Sequence, residues 1–230
     1  MGTYAIQSET LQAIADAIRA KTDSSAQLSP AEMVSAINSI ITYDSMNLDS
    51  MIMRTSEIIE SRTATSVAAY AFYNNPAIHT VILPAADAIG DYAFANSANL
   101  EYFSSGATTI GAYAFYGCDA LSEVLLADNF REIGVAAFDG CESLESVNLQ
   151  KTMVSTITPS AFADSGLREL RLPEARFCSL TNVSAFSGCP LGVGGSGGVI
   201  YMPMRYRVQY EANTIWSRII GNGTNRIVTY

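Results

Sequence analysis

Lysine is nearly missing from this 230-residue chain, occurring only at Lys21 and Lys151. Thirteen basic residues stand against 22 acidic ones, a formal net charge of -9. Such a chain lacks the cationic surface that draws in phosphate backbones, so a general nucleic-acid or anionic-membrane binder is excluded. Histidine is reduced to His79, which leaves neither a Ser-His-Asp arrangement nor a multi-histidine metal site to be built. No Cys-x-x-Cys pair occurs among the four cysteines, so no zinc site is expected. The glycine-aspartate nonapeptide of calcium-binding β-rolls is also missing. No apolar run approaches the roughly 18 residues of a membrane span. The opening MGTYAIQSETLQAIADAI has no basic segment leading into an apolar one, so no signal peptide is read and export by the usual route is not expected.

What is abundant is periodicity. The dipeptide Ala-Phe ends at Phe72, Phe94, Phe115, Phe138, Phe162 and Phe186, a step of 21 to 24 residues. A repeat of that length predicts a solenoid. Written out, the unit is I-G-x-Y-A-F-x-G-C-x-x-L-x-x-V-x-L-P. Five residues before each Phe stand Val67, Ile89, Ile110, Ile133 and Ile157, with Thr181 as the one polar member. The six phenylalanines are expected to stack in one internal column. Two residues after each come Asn74, Asn96, Gly117, Gly140, Asp164 and Gly188, the residue types that best tolerate positive φ, which predicts a left-handed turn residue in every coil. An aliphatic residue follows, Ile78, Leu100, Leu121, Leu144, Leu167 or Leu191.

Short strands then read HTVILP, EYFSSG, SEVLLA, ESVNLQ and RELRLP. Their alternation turns Val81, Phe103, Val124, Val147 and Leu170 inward together with Leu83, Leu126, Leu149 and Leu172. Parallel strands about 4.8 Å apart give a body about 30 Å long. Each coil buries too little alone, so its neighbours supply the core and the ends need caps.

At these residues the chain resembles the BspA-type leucine-rich repeat family, over about residues 55 to 191. The signature is full in GAYAFYGC and GVAAFDGC and erodes in ITPSAFADS and TNVSAFSGC, where Thr158 and Asn182 replace glycine. The resemblance implies an α+β repeat fold: a leucine-rich-repeat solenoid of about six 21–24-residue coils. It would carry an N-terminal helical hairpin over 1–42, the repeats over 43–198 and a small α/β C-terminal cap over 199–230.

The hairpin is read from two amphipathic stretches. Ser8 caps the first, with Leu11, Ile14, Ala15 and Ile18 on one stripe. Ser29-Pro30-Ala31-Glu32 forms a capping box opening the second, which carries Met33, Ala36, Ile37 and Ile40. The string LQAIADAIRAKTDSSAQLSPAEMVSAINSI is similar to a helical segment that opens many phage and prophage tail-region proteins, with Asp23 where those have Gly. That resemblance implies a virion-associated protein made in a bacterial cytoplasm, and a homo-oligomer formed through the hairpin is allowed by it. Residues 41 to 54 form a bridge with Met46, Met51 and Met53 as core filler, and SEIIESR forms the strand of a first half-coil. After the repeats, GGSGG marks a turn, Val199 to Met202 a strand and 205 to 216 a helix, with Trp216, Tyr201, Tyr206 and Tyr210 as the body of the cap. IVTY is expected to pair as an edge strand. The layout I-Y-x-P, Y, W-S is similar to the terminus of the same phage-type repeat proteins. From Tyr201 onward four Arg stand against one Glu, a solvated basic cap or an anion site.

Three of the cysteines, Cys118, Cys141 and Cys189, share the slot three after the Phe with Asn75, Ser97 and Ser165. A ladder of reduced, buried thiols is expected there. Recurring carboxylates, Glu101 with Glu145 and Glu123 with Glu169, raise the question of a glycosidase pair, but on an outer strand face nothing encloses them. The chain is therefore read as a non-enzyme without cofactor or metal.

The outward strand positions are the candidate binding face: Thr80, Tyr102, Glu123, Ser146 and Glu169, then Ile82, Ser104, Leu125, Asn148 and Arg171. Tyr102 and Arg171 lead because aromatic and arginine side chains dominate interface energetics. Two readings of the face remain, a contact surface for a protein or glycan and a merely solvated one. At the level of function the same choice lies between a phage or prophage tail protein meeting a host-surface protein or glycan and a bacterial cell-surface adhesin. A carbohydrate-active enzyme is a distant third.

Overall fold

The computed structural model describes residues 57–221 and 223–230. The hairpin expected over 1–42 and Met46, Met51 and Met53 lie outside the described residues. Strands β1 (Ile58–Glu60), β2 (Ser66–Val67), β3 (Thr80–Leu83), β4 (Ala88–Ile89) and β5 (Tyr102–Ser105) open the solenoid. It continues through β6 (Thr109–Ile110), β7 (Glu123–Leu126), β8 (Glu132–Ile133), β9 (Ser146–Asn148) and β10 (Thr156–Ile157). Strands β11 (Glu169–Arg171), β12 (Ser179–Leu180), β13 (Val199–Met202) and β14 (Arg226–Thr229) complete it. The odd-numbered strands up to β7 pair in parallel as one sheet, β9, β11, β13 and β14 as a second, and the two-residue strands β2, β4, β6 and β8 as a third.

The alternation in the sequence dictates which side is buried. Val81, Phe103, Val147 and Leu170 have almost no exposure, nor do Leu83, Leu149 and Leu172. Val124 and Leu126 pack against the same core but stay half-buried. Their strand, β7, ends its sheet, and the ladder is interrupted before β9. The six phenylalanines stack face to face along the interior. Ring centroids are 5.2, 5.3, 5.2, 5.5 and 5.9 Å apart from Phe72 to Phe186, with planes within 9° of parallel. Beyond its buried area, each such pair contributes about 0.5–1.5 kcal/mol.

All six residues expected in the left-handed region are there, with φ from 49° at Asp164 to 76° at Gly140. A second left-handed residue stands two before the Phe in five coils: Tyr70, Tyr92, Tyr113, Ala136 and Ser160, with φ of 52–60°. Two such residues flanking the Phe let three consecutive alternate N–H groups point along the stack. In the second coil, Tyr92, Phe94 and Asn96 donate to the carbonyls of Ala112, Ala114 and Tyr116 in the third. The same trio recurs from the first through the fourth coil. A backbone bent this sharply would leave its amides unpaired if the next coil did not accept them.

The slot shared by Cys, Ser and Asn is explained by hydrogen bonding. Ser97 Oγ, Cys118 Sγ and Cys141 Sγ donate to the carbonyls of Phe72, Phe94 and Phe115, each one coil back. Ser165 Oγ and Cys189 Sγ donate instead to Phe162 and Phe186 of their own coil. Five of the six coils thus place a small donor in the slot, whereas Asn75 accepts there from the Ala77 amide through Oδ1 and leaves its Nδ2 buried without a partner. All four cysteines are buried free thiols. Burial pushes Cys118 and Cys178 up to about 12 and Cys189 to about 11 from an ordinary 9.0, and Cys141 well above it. Because the folded values are raised, their stabilising contribution is complete below pH 9.0 and is lost as the pH rises toward about 12. In native protein at pH 8 an aromatic disulfide reagent should find no reactive thiol among the four, and denaturant should release them together. Fast labelling of Cys118 or Cys141 without denaturant would contradict this burial.

Two expectations need correction. In the sixth coil the inward aliphatic residue is Leu180, paired with Ile157, while Thr181 is exposed. The coil is one residue longer between that strand and Phe186, and a 3-10 turn over Val183–Phe186, capped by Asn182, takes up the excess. The single helix expected over 205–216 is broken. A 3-10 turn (Met204–Tyr206) leads into α1 (Arg207–Ala212), and α2 (Trp216–Ile220) follows after Asn213. Asn213 Oδ1 accepts from the Ile215 and Trp216 amides, starting a new helix where the first stops. Trp216 thereby lies against Phe186 at 6.1 Å, closing the ring column, and its Nε1 donates to the Cys178 carbonyl. The edge strand expected at IVTY is β14, paired in parallel with β13.

Candidate functional site

The parallel register sets the outward side chains in straight rows. Thr80, Tyr102 and Glu123 fall in one row with Ile58, and Leu125 falls in the next with Glu60, Ile82 and Ser104. Past the interruption, Ser146 and Glu169 share a row with Val199 and Arg226, and Asn148 and Arg171 share one with Tyr201 and Val228. The ten outward positions therefore occupy one face in two groups, with Ile82 and Ser104 half-buried in the first. Glu123, Leu125, Ser146 and Asn148 are exposed, and Thr80, Tyr102, Glu169 and Arg171 are half-buried. Leu125, 46% exposed, and Ile58, 58%, are apolar side chains held outward by strand alternation.

Arg171 is the most constrained of the candidates. Its Nη2 lies 2.9 Å from Glu169 Oε1, and its guanidinium sits 3.9 Å above the centre of the Tyr201 ring. Sequence reasoning assigned Tyr201 to the cap. The strand VIYM repeats the alternation of the earlier coils, and that signal places Tyr201 beside Arg171.

Sequence reasoning also left unread the tyrosine of the repeat signature. Tyr70, Tyr92 and Tyr113 stack outside the turns at 4.9 and 4.8 Å, nearly parallel. Tyr73 meets Tyr70 edge-on and Tyr116 meets Tyr113 likewise, at 5.8 and 5.9 Å. The left-handed backbone two before each Phe points Tyr70, Tyr92 and Tyr113 away from the core, leaving Tyr70 exposed and the stacked Tyr92 and Tyr113 half-buried. Beside Tyr116 a groove of about 400 Å³ runs across four coils, lined by Asn96, Asp119, Asp139, Glu142 and Asp164 among others. Burial first, and the Asp164 charge second, raise the Asp139 carboxyl above its ordinary value.

Among the described residues no three of His, Cys, Asp or Glu converge on a metal position. Nor, among them, is any helix long and apolar enough to cross a membrane.

A ladder of parallel coils with an internal Phe column and an open strand face defines the class, a leucine-rich-repeat solenoid. The BspA type leucine rich repeat region matches in six copies over residues 65–192, more than half of the chain, and the protein belongs to that family. No curated protein sequence matches it. Among solved structures it is similar to the leucine rich repeat protein TpLRR of T. pallidum, at 25% identity and a TM-score of 0.44, covering 53% of this chain and 61% of that one. It is also similar to a leucine-rich repeat protein from Bacteroides ovatus, at 20% identity and a TM-score of 0.44, covering 73% of this chain and 43% of that one. The chain thus spans less than two thirds of either relative.

Proposed function

We propose that this protein is a non-enzymatic recognition module of a phage or prophage tail, meeting a host-surface protein or glycan with its outward strand rows. The observation that carries the reading is Arg171, held between Glu169 and Tyr201 on the outward strand rows. An arginine already ordered loses little freedom when a ligand docks, so its hydrogen bonds count more fully toward affinity. Tyr102 in the first group and Leu125 beside it supply the apolar contact such a ligand needs. The tail assignment rests on the similarity of residues 11–40 to tail-region proteins, and that segment is the attachment and assembly element in this reading.

The test is binding of fluorescently labelled protein to candidate host bacteria, with Arg171→Ala and Tyr102→Ala beside the parent. Each substitution is expected to weaken attachment about tenfold or more, the effect of losing a central interface anchor. Unchanged attachment in both variants would remove the strand face from the mechanism. Light scattering tests the assembly element independently: a closed oligomer is expected for the intact chain, and a monomer would leave residues 11–40 without that role.

A further inference from the structure

Strand β14 closes the second sheet and has a neighbour on one side only. Its register with β13 fixes which groups face outward. The Arg226 and Tyr230 amides donate to Gly198 and Met202, so in a parallel ladder the Ile227 and Thr229 amides and carbonyls point away from β13. Neither of these amides has a hydrogen-bond partner among the described residues. The core is open along the same edge: Ile200 and Met202 of β13 are fully buried, whereas their neighbours Ile227 and Thr229 are half-buried. Neither proline nor lysine guards the strand, which reads Arg-Ile-Val-Thr. Apolar surface lies beside it. The Met204 amide donates to the Tyr230 carbonyl, and Met204 and Val208, four residues further on, are 58% and 75% exposed. A cap whose only task is to end a solenoid presents a polar outer face.

We propose that this edge docks a second copy of the chain, β14 pairing antiparallel with its own counterpart about a twofold axis through Val228. The register decides the occupant. Ile227 and Thr229 stand at equal distances from Val228, so the Ile227 amide meets the second copy's Thr229 carbonyl and the Thr229 amide its Ile227 carbonyl. Every outward amide and carbonyl of both strands is thereby paired. On the core side each half-buried Ile227 gains the other copy's Thr229 as a cover. On the outer side Val228 meets Val228 in a close, non-hydrogen-bonded pair, and Arg226 falls opposite Tyr230. Charge agrees with this register. No ion pair holds Arg226 among the described residues. Tyr230 Oη donates to the Leu172 carbonyl, two residues before Glu174, whose side chain is half exposed and only 3.9 Å from Arg205. Each Arg226 therefore arrives at the acidic end of the other copy's strand, and the two Arg226 side chains stay apart.

The experiment is oxidative crosslinking of the full-length protein carrying Val228→Cys. A non-hydrogen-bonded antiparallel pair sets its Cα atoms roughly 4.5 Å apart, within disulfide range. The native cysteines are buried and do not compete. Under mild oxidation Val228→Cys should yield a disulfide-linked dimer about tenfold faster or more than Lys151→Cys, an exposed position away from the edge, because the paired strands hold the two thiols together. Thr229→Pro removes an outward donor and no bond to β13. Added to Val228→Cys, it should slow crosslinking to the Lys151→Cys rate, whereas Thr229→Val, which keeps the amide, should leave it fast. Thermal melting of each variant checks that the fold is kept. Crosslinking of Val228→Cys no faster than that of Lys151→Cys, or a rate untouched by Thr229→Pro, would overturn the proposal. An oligomer held by residues 11–40 would survive Thr229→Pro in light scattering, so the two assembly readings fail separately.

Discussion

Phe115→Ala is expected to lower the unfolding free energy by about 3–5 kcal/mol, the cost of emptying a fully packed aromatic site. Phe115 is completely buried, has Phe94 on one face and Phe138 on the other, and meets Phe103 edge-on at 4.6 Å. Removing the ring opens a void that neighbours locked into their own coils cannot fill. In a solenoid each coil is held by the interfaces on both its sides, so damage to a central one divides the array. Phe72 stacks against another Phe on one side only, and Phe72→Ala should cost clearly less, roughly 2 kcal/mol. Urea denaturation of both variants provides the comparison. Equal shifts in midpoint at unchanged slope would mean that the column does not stabilise the fold cooperatively.

Gly134→Ala should be nearly as damaging for a different reason. A Cβ at Gly134 would lie 2.3 Å from the Gly111 carbonyl carbon and 2.5 Å from the Ala112 nitrogen, both backbone atoms of the preceding coil. Nothing flexible can yield there, so the coils must separate, at a cost of about 3 kcal/mol or more. Gly140→Ala is the contrast. It has a φ of 76°, but a Cβ there meets only Gly117 atoms at 3.5 Å, leaving the left-handed penalty of roughly 1–2 kcal/mol. Circular dichroism melts of the two variants should rank them in that order. If Gly140→Ala proves the worse, backbone conformation rather than coil spacing governs these turns. The chain contains a natural version of the first change. Where Thr158 and, in the register of the structure, Thr181 stand in the place of the glycine, the Phe rings move from 5.2 Å apart to 5.5 and then 5.9 Å. Thr158 Oγ1 uses the space to donate to the carbonyls of Ile133 and Gly134.

Positions where residue type and backbone demand coincide were legible in the sequence. The Phe column, the inward strand residues and the left-handed Asn, Gly and Asp are of this kind, because burial and positive φ each select a narrow set of side chains. The left-handed residues two before the Phe were not legible. They are Tyr, Ala and Ser, and what holds the Tyr and Ala residues there is a hydrogen bond to the next coil, a tertiary demand that overrides local preference. Leu180 was displaced by one position because spacing from the Phe ignores the extra residue that a 3-10 turn absorbs. The break at Asn213 did have a signal, an Asn three residues before Trp216. For the strand face, alternation identifies which side chains point outward. The salt bridge and ring contact of Arg171 depend on Tyr201, 30 residues further along, and only the stacking of coils brings them together.

The interruption between β7 and β9 gives the molecule a mechanical asymmetry. On the turn side the same step is continuous: Tyr113, Phe115 and Gly117 donate to Val135, Ala137 and Asp139, and the rings of Phe115 and Phe138 lie 5.2 Å apart. On the strand side the corresponding ladder is missing. The strand side of this step keeps the flanking bonds from the Ser143 amide to Asp119 and from the Met153 amide to Phe130, so a pull along the described coils would spread the strands here before the turns, like a book parting from its spine. The curvature presented to a large, stiff surface would be adjusted at this joint while the coils on either side kept their shape.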